Sequence, residues 1–380
     1  MSTLKIYDGS TWQAVGGIGS SGYSGYSGTS GTAGAVNPNI FINGDLNVWQ
    51  RGTSFTSIAG TSYFADRFRY LTSAGQNVWN ATRETDVPSL AQSSHLSNYS
   101  MKMACTTKED AVAAAEVTYI RVAIEGYDYA AIAQQAFTVS FWVKAYKAGI
   151  YCFAVFNSGA DRSYVAEYTI NASNTWEKKT VTITASPAAG TWDYTTGVGI
   201  YMNWTILSGA TYQTTANTWA TGQYIATSNQ VNGADSTSNT FFLSQIKLEP
   251  GSSATQFMGE PAAVELERCQ RYFYQTGGTA AYEMHAVGYI PTTSIAAVMA
   301  PIPVMRVQAT LGYTTVGNFC IGYGSNAISA CTALARTNSG NQRVFAINAT
   351  ATATPLTAGS AAWLASNNNT TDRLTFSAEI

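Results

Sequence analysis

The sequence predicts an all-β protein, and three observations carry that reading. Charged residues make up only 11% of the chain, less than half the usual share of about 25%. Aromatics reach 12%, led by 23 Tyr and 9 Trp, and such residues, with the β-branched ones, suit a pleated surface. Between about residues 39 and 258, short runs of alternating polarity recur between Gly, Asn and Ser turns, the spacing of a two-sheet sandwich.

Residues 1–15 read as a hairpin. Leu4, Ile6 and Tyr7 precede an Asp8-Gly9 turn, and Trp12, Ala14 and Val15 follow. A unit this small buries no core alone, so it is expected to serve as an attachment tip and to help nucleate a trimer. Residues 16–36 follow as a stalk. Gly16, Gly19, Gly22, Gly25, Gly28, Gly31 and Gly34 recur every third position. That period is the mark of three chains wound about an axis too crowded for a side chain; a repetitive flexible linker is the alternative. No proline occupies the other two positions, so flanking trimeric domains would have to hold a triple helix together.

Residues 37–258 are expected to form a jelly-roll sandwich. Its first stretch, NIFINGDLNVWQRGTSF, alternates Ile40, Ile42, Leu46 and Val48 about an Asn43-Gly44 turn. Clear strands are 101–106, 117–124, 137–145, 151–156, 164–170, 177–184, 199–206 and 240–248. Residues 259–275 read as a connector, with a helix at 261–274. Pro261 suits the first turn, Glu267 and Arg271 pair at i, i+4, and Val264, Leu266, Cys269 and Phe273 give an apolar stripe on which three copies could pack. Residues 276–380 return to β, with strands at 280–289, 296–307, 308–313, 327–334, 343–349 and 373–378. Pro301 and Pro303 place the second of these at an edge or make it start late. The segment is thin in large apolar residues, which favours one third of a trimeric head.

Composition excludes several classes. Twenty basic against 22 acidic residues leave no positive field for nucleic acid. Cys105, Cys152, Cys269, Cys320 and Cys331 are odd in number and widely spaced, which implies neither disulfides nor zinc but buried, reduced thiols. No signal peptide and no membrane insertion are expected. His95 and His285 lie in no metal or triad spacing. Asp66, Glu84, Asp86, Glu116, Glu125, Asp128, Asp161, Glu167 and Asp193 are acids by type only, with no motif singling out a hydrolytic pair. The chain is therefore expected to be no enzyme, with no cofactor and no metal. Flat rings with amides and hydroxyls suit neutral sugars. The candidate contacts are Tyr127, Tyr129, Trp192, Tyr194, Trp204, Tyr212 and Trp219 in the sandwich, and Tyr282, Tyr289, Tyr313, Tyr323 and Trp363 in the C-terminal region.

Several stretches together carry a resemblance. They are NIFINGDLNVWQRGTSF, YFADRFRY, FTVSFWVKA, LEPGSSATQF, ELERCQRYFY and FSAEI, with the DGSTWQAV start and the GYSGYSG repeat. The chain resembles phage tail-fibre and related virion fibre proteins, notably of phages infecting cyanobacteria and marine bacteria. Residues 39–258 look like the jelly-roll carbohydrate-binding modules of xylanases. The resemblance implies a homotrimer in the virion, assembled in the host cytoplasm. It would dock on a tail, neck or capsid protein through residues 1–15 and hold a host surface glycan with residues 276–380 as the tip. A head or collar fibre, a polysaccharide depolymerase and a decoration protein are the rival readings. Those modules often carry a structural calcium near an NGDFE-like strand. Here Asn43-Gly44-Asp45 is kept, but Leu46-Asn47 follow and the late strand, Phe242 to Ile246, has no Asp, so Asp45 is read as a turn residue.

Overall fold

The computed structural model describes residues 5–7, 12–14, 39–58, 60–324, 327–337, 340–351 and 355–380. The glycine repeat and the Asp8-Gly9 turn lie outside the described residues. The chain divides into two units, 1–38 and 39–380. In the first, β1 (Lys5–Tyr7) and β2 (Trp12–Ala14) pair antiparallel with Tyr7 opposite Trp12.

The second unit begins with a sandwich. Its strands are β3 (Ser54–Ile58), β4 (Thr61–Tyr63), β5 (Arg69–Ser73), β6 (Val78–Glu84), β7 (Ser100–Thr107), β8 (Val117–Glu125), β9 (Phe137–Ala145), β10 (Gly149–Asn157), β11 (Arg162–Ile170), β12 (Glu177–Ile183), β13 (Val198–Ser208), β14 (Trp219–Thr221) and β15 (Thr240–Pro250). One sheet runs β14-β11-β10-β13-β8-β5-β4 and the other β12-β9-β15-β7-β6-β3. Neighbours come from distant parts of the chain, the jelly-roll way of closing a sandwich. The inner faces meet on Trp204, which packs edge-on against Phe41, Phe141 and Phe153 at 5.1–6.0 Å between centroids.

The stretch before β3 is not a strand pair. Asn43 and Leu46 take left-handed backbone, φ 61° and 55°. The Asn43 side chain donates to Val48 O and Asp66 O and accepts from Val48 N. Local amide bonds have replaced a ladder, and Phe41 plugs one end of the core.

Two single-turn helices, α1 (Leu90–Ser93) and α2 (Gly126–Ala130), interrupt the sandwich. The connector helix, α3 (Ala262–Gln270), is shorter than expected, and Phe273 already belongs to β16 (Phe273–Thr276). Its buried residues are Glu265 and Cys269, whereas Val264 and Leu266 face water. The expected apolar stripe is thus not a stripe. The helix is held by polar contacts to its own sandwich: Asn43 N donates to Glu265 Oε1 at 2.5 Å, and Arg268 donates to Asn39 O and Ile40 O.

The remaining strands are β17 (Met284–Thr292), β18 (Ile295–Pro301), β19 (Thr310–Tyr313), β20 (Phe319–Tyr323), β21 (Ala327–Arg336), β22 (Val344–Ala351), β23 (Ala361–Ser366) and β24 (Leu374–Ser377). Six of them close a barrel in the order β17-β18-β22-β21-β20-β23, and β16-β24-β19 form a small sheet. The proline-flanked strand neither starts late nor lies at an edge: β18 pairs on both sides and ends at Pro301. The thinness in large residues also has another cause than three-fold sharing. The chain buries a core of its own here, in which Ala286, Ala296, Ala300, Ala349 and Ala362 alternate with Ile290, Val298, Phe319, Ile347 and Leu364. A small barrel has room for nothing bulkier.

Sandwich and barrel meet at a buried junction. Arg51 and Arg67 both pair with Glu379. The Arg51 guanidinium lies 3.6 Å over the Phe273 ring and that of Arg67 lies 3.4 Å over Tyr272. Gln50 donates to Asp66 and to Phe273 O, Tyr272 OH donates to Glu125, and Ile42, Val48, Cys269, Tyr272 and Ile380 pack together. Four of the stretches that carry the resemblance converge on this one joint.

Candidate functional site

The most concentrated aromatic surface lies at one end of the sandwich. Gly126 turns the chain out of β8 into α2, and the loop before β13 folds back against it. Tyr127 N donates to Thr195 O and Gly126 N to Gly197 O. Tyr129 stacks against two nearly parallel rings, Trp192 at 5.4 Å and Tyr194 at 6.0 Å between centroids. Trp219 meets Trp192 edge-on at 5.8 Å, and Tyr164 closes the row. Tyr129 is fully buried and donates to Ser186 Oγ at 2.9 Å. It backs the stack from inside the core, where a surface ligand does not reach its ring, which corrects its place among the expected contacts. Trp204, wholly inside the core, is corrected likewise. Trp192 and Trp219 are half-buried, with their indole N–H groups spent on Ala189 O and Thr184 O. Tyr127 and Tyr194 are exposed, at 59% and 39%. Next to Tyr194 in sequence, Asp193 accepts from Thr195 N and Oγ1 at 2.7 and 2.9 Å. These bonds hold its carboxyl below the ordinary range, so at neutral pH it is an ionised acceptor for a hydroxyl. The arrangement offers flat apolar rings with a charged acceptor beside them.

The C-terminal candidates scatter. Tyr282 is exposed in a turn, Tyr313 lies on β19, and Tyr323 is buried. Tyr289 and Trp363 stand on the outer wall of the barrel. One lateral row there runs Ile328, Gly322, Trp363, Val287, Met299, Ala346 across six neighbouring strands. Ile328, Val287 and Met299 are 48–56% exposed, and the Trp363 indole lies over Gly322, where a Cβ would collide with it. A depression of about 330 Å³ opens beside Tyr289, Pro291, Met299 and Asn348.

No protein-family model matches this chain, and no curated protein matches it. Solved structures do. One is the carbohydrate-binding module TmCBM61 in complex with β-1,4-galactotriose, at 9% identity over 56% of this chain and 99% of that one, TM-score 0.28. Another is the family 11 carbohydrate-binding module of a Clostridium thermocellum cellulosomal cellulase, at 12% identity over 52% of this chain and 99% of that one, TM-score 0.28. A third is the enzymatically active domain of tailspike protein 4 of bacteriophage CBA120, at 11% identity over 56% of this chain and 21% of that one, TM-score 0.27. At such scores no residue role is carried across.

Most of the candidate acids accept bonds within the fold. Asp66 serves Gln50 and Arg51, Asp86 serves Lys144 and Trp176, and Glu125 serves Arg271 and Tyr272. Asp161 serves Asn157 and Thr191. Glu167 borders an open cleft of about 710 Å³, but it is the only acid lining that cleft and accepts from Thr227 and Asn229. The Asn43-Gly44-Asp45 turn does not fit a calcium ion. Asp45 accepts from Ser97 Oγ (2.5 Å), His95 (3.1 Å) and Asn47 (3.1 Å), which makes it more than a turn residue. Lys247 pairs with Glu249 at 3.4 Å on the late strand, so a lysine ammonium already stands beside that carboxylate. Ser97 donates to Asp45, not to His95, which is not the order of a catalytic triad. Among the described residues no three of His, Cys, Asp and Glu converge to hold a metal. All five cysteines are free and buried.

One group escaped the sequence reading. Tyr63, Arg69, Arg121 and Asn203 form a lateral row across four adjacent strands of the seven-stranded sheet. The signal was present: Arg121 is the one basic residue in the otherwise apolar centre of VTYIRVAIE.

Proposed function

We propose that this chain is a trimeric virion fibre that holds a host-surface glycan against the exposed rings of Tyr127 and Tyr194. The observation that carries the binding is the stack itself. Tyr194 is stacked in an offset, near-parallel way on a buried Tyr129, so the orientation of its ring is fixed and less entropy is lost when a sugar ring lies on its exposed part. The virion part rests on the fibre-like stretches and on the glycine period, which calls for three chains. The barrel wall supports the same reading: its six strands contain a single Asp, Glu, Lys or Arg, Arg336. An exposed apolar row without charges is unusual for a surface that meets only water, and three copies would cover it. Residues 1–15 would dock on the particle.

The test uses the purified full chain on host cells and on their isolated surface polysaccharide. Tyr194→Ala with Tyr127→Ala should weaken retention about tenfold, the scale of a lost aromatic stacking contact, with Tm unchanged. Full retention by the double variant would remove the platform from the account. Light scattering should give three copies, and a monomer at micromolar concentration would refute the trimer. Antibody labelling of intact particles locates the fibre on tail, neck or head.

A further inference from the structure

Arg69 and Arg121 are direct cross-strand partners on the outer face of the seven-stranded sheet. Like charges in that position repel, and guanidinium groups do not discharge. Among the described residues neither pairs with a carboxylate. The next acid along β8 is Glu125, four residues or about 13 Å of strand away, and Arg271 and Tyr272 already occupy it. In a chain with so few charges, two adjacent cations without a counter-ion call for an explanation.

The pair is built rather than incidental. Arg121 is 8% exposed. Its Nε donates to Asn203 Oδ1 at 2.9 Å and its Nη2 to Tyr119 OH at 2.8 Å. The rings of Tyr201, Phe156 and Tyr119 surround the guanidinium at 4.4, 4.6 and 4.9 Å. Of its five N–H donors, these bonds use two. Arg69 lies over Tyr63 at 5.7 Å, and its Nε is buried with no hydrogen-bond partner. Unused donors on a fixed fork beside a second guanidinium form a receptor for a planar or tetrahedral anion. Half-exposed Tyr201 adds a ring face alongside.

We propose that Arg69 and Arg121 form a subsite for the anionic group of an acidic saccharide, a carboxylate or a sulfate ester, with Tyr201 against the sugar that bears it. This rests on the glycan reading above and narrows its ligand from neutral to acidic. A polynucleotide fits less well, because it needs a basic stripe rather than one pair.

Affinity electrophoresis of the full chain through polygalacturonate, dextran sulfate, neutral dextran and a single-stranded oligothymidylate tests it. Either acidic polysaccharide should retard the chain at least about tenfold more than dextran, and the preferred one tells carboxylate from sulfate. Arg69→Gln removes no ion pair and should abolish about nine-tenths of that excess. Arg121→Lys, which keeps the charge but loses the fork, should also weaken it, whereas Lys108→Gln, on an exposed lysine paired with Asp110, should not. Equal retention by acidic and neutral polymers, or an Arg69→Gln variant that behaves as wild type, overturns the subsite and leaves the glycan reading standing. Stronger retention by the oligonucleotide also overturns it. If no saccharide retards the chain, both readings fall.

Discussion

Asp66 shows how a single residue at the junction sets a pH dependence. Burial lifts its carboxyl to about 6 from an ordinary 3.8, against the pull of Arg51 and the Gln50 donors. The folded chain therefore holds this proton more tightly than the unfolded chain between about pH 4 and 6. The stabilising contribution is complete below the unfolded value and is lost as pH rises through the folded one. Relative to Asp66→Asn, the wild type should gain Tm as pH falls from 7 to 4, and a difference that stays flat across that range would exclude Asp66 as the titrating group. At the barrel wall, Gly322→Ala sets a methyl where the Trp363 indole lies. The ring must lift, and a loss of about 1–3 kcal/mol in urea unfolding is expected from overpacking; unchanged stability would mean that the indole is free to move.

At the scale of elements, α3 presents one buried acceptor, Glu265, to the sandwich. Glu265→Ala leaves the Asn43 N–H without a partner and should cost about 1–3 kcal/mol, whereas Glu265→Gln, which keeps an acceptor, should recover most of it. The helix also shows what the sequence could tell. Its existence was legible from Pro261, but the expected Glu267–Arg271 pair is not made, since Arg271 caps the helix and pairs with Glu125. The helix's buried face was not legible, because Glu265 is buried for a bond to a residue more than two hundred positions earlier. Strands with plain alternation, such as β9, were legible to the residue. The stretch from Ile40 to Val48 alternates equally well, yet the Asn43 side chain takes up the backbone groups of Val48 and Asp66, so periodicity alone misled. Among the expected contacts, the exposure of Tyr127 and Tyr194 was legible because turn chemistry put them at a rim. Trp204 looked the same by type, and only the partner sheet reveals that it is core. The Arg69–Arg121 pair depends on cross-strand register, which no single stretch encodes.

For the whole molecule, the proposed assembly can be tested at the barrel wall. If copies meet on the row through Val287 and Met299, Met299→Lys places three cations at the contact without disturbing the core, since Met299 is 52% exposed. Light scattering should then report dissociation with an unchanged Tm for the barrel. A trimer that survives would move the contact elsewhere. The junction, finally, has a consequence in time. Arg67 and Glu379 are 312 positions apart, and synthesis at about 5–20 residues per second separates their appearance by roughly 15 to 60 s. The sandwich can collapse on Trp204 within that interval, but Arg51, Arg67 and Tyr63 must wait in water at its end. The last residues described therefore act as a late clasp. A chain stalled before Glu379 would leave Arg51 and Arg67 without their shared carboxylate, over the rings of Phe273 and Tyr272.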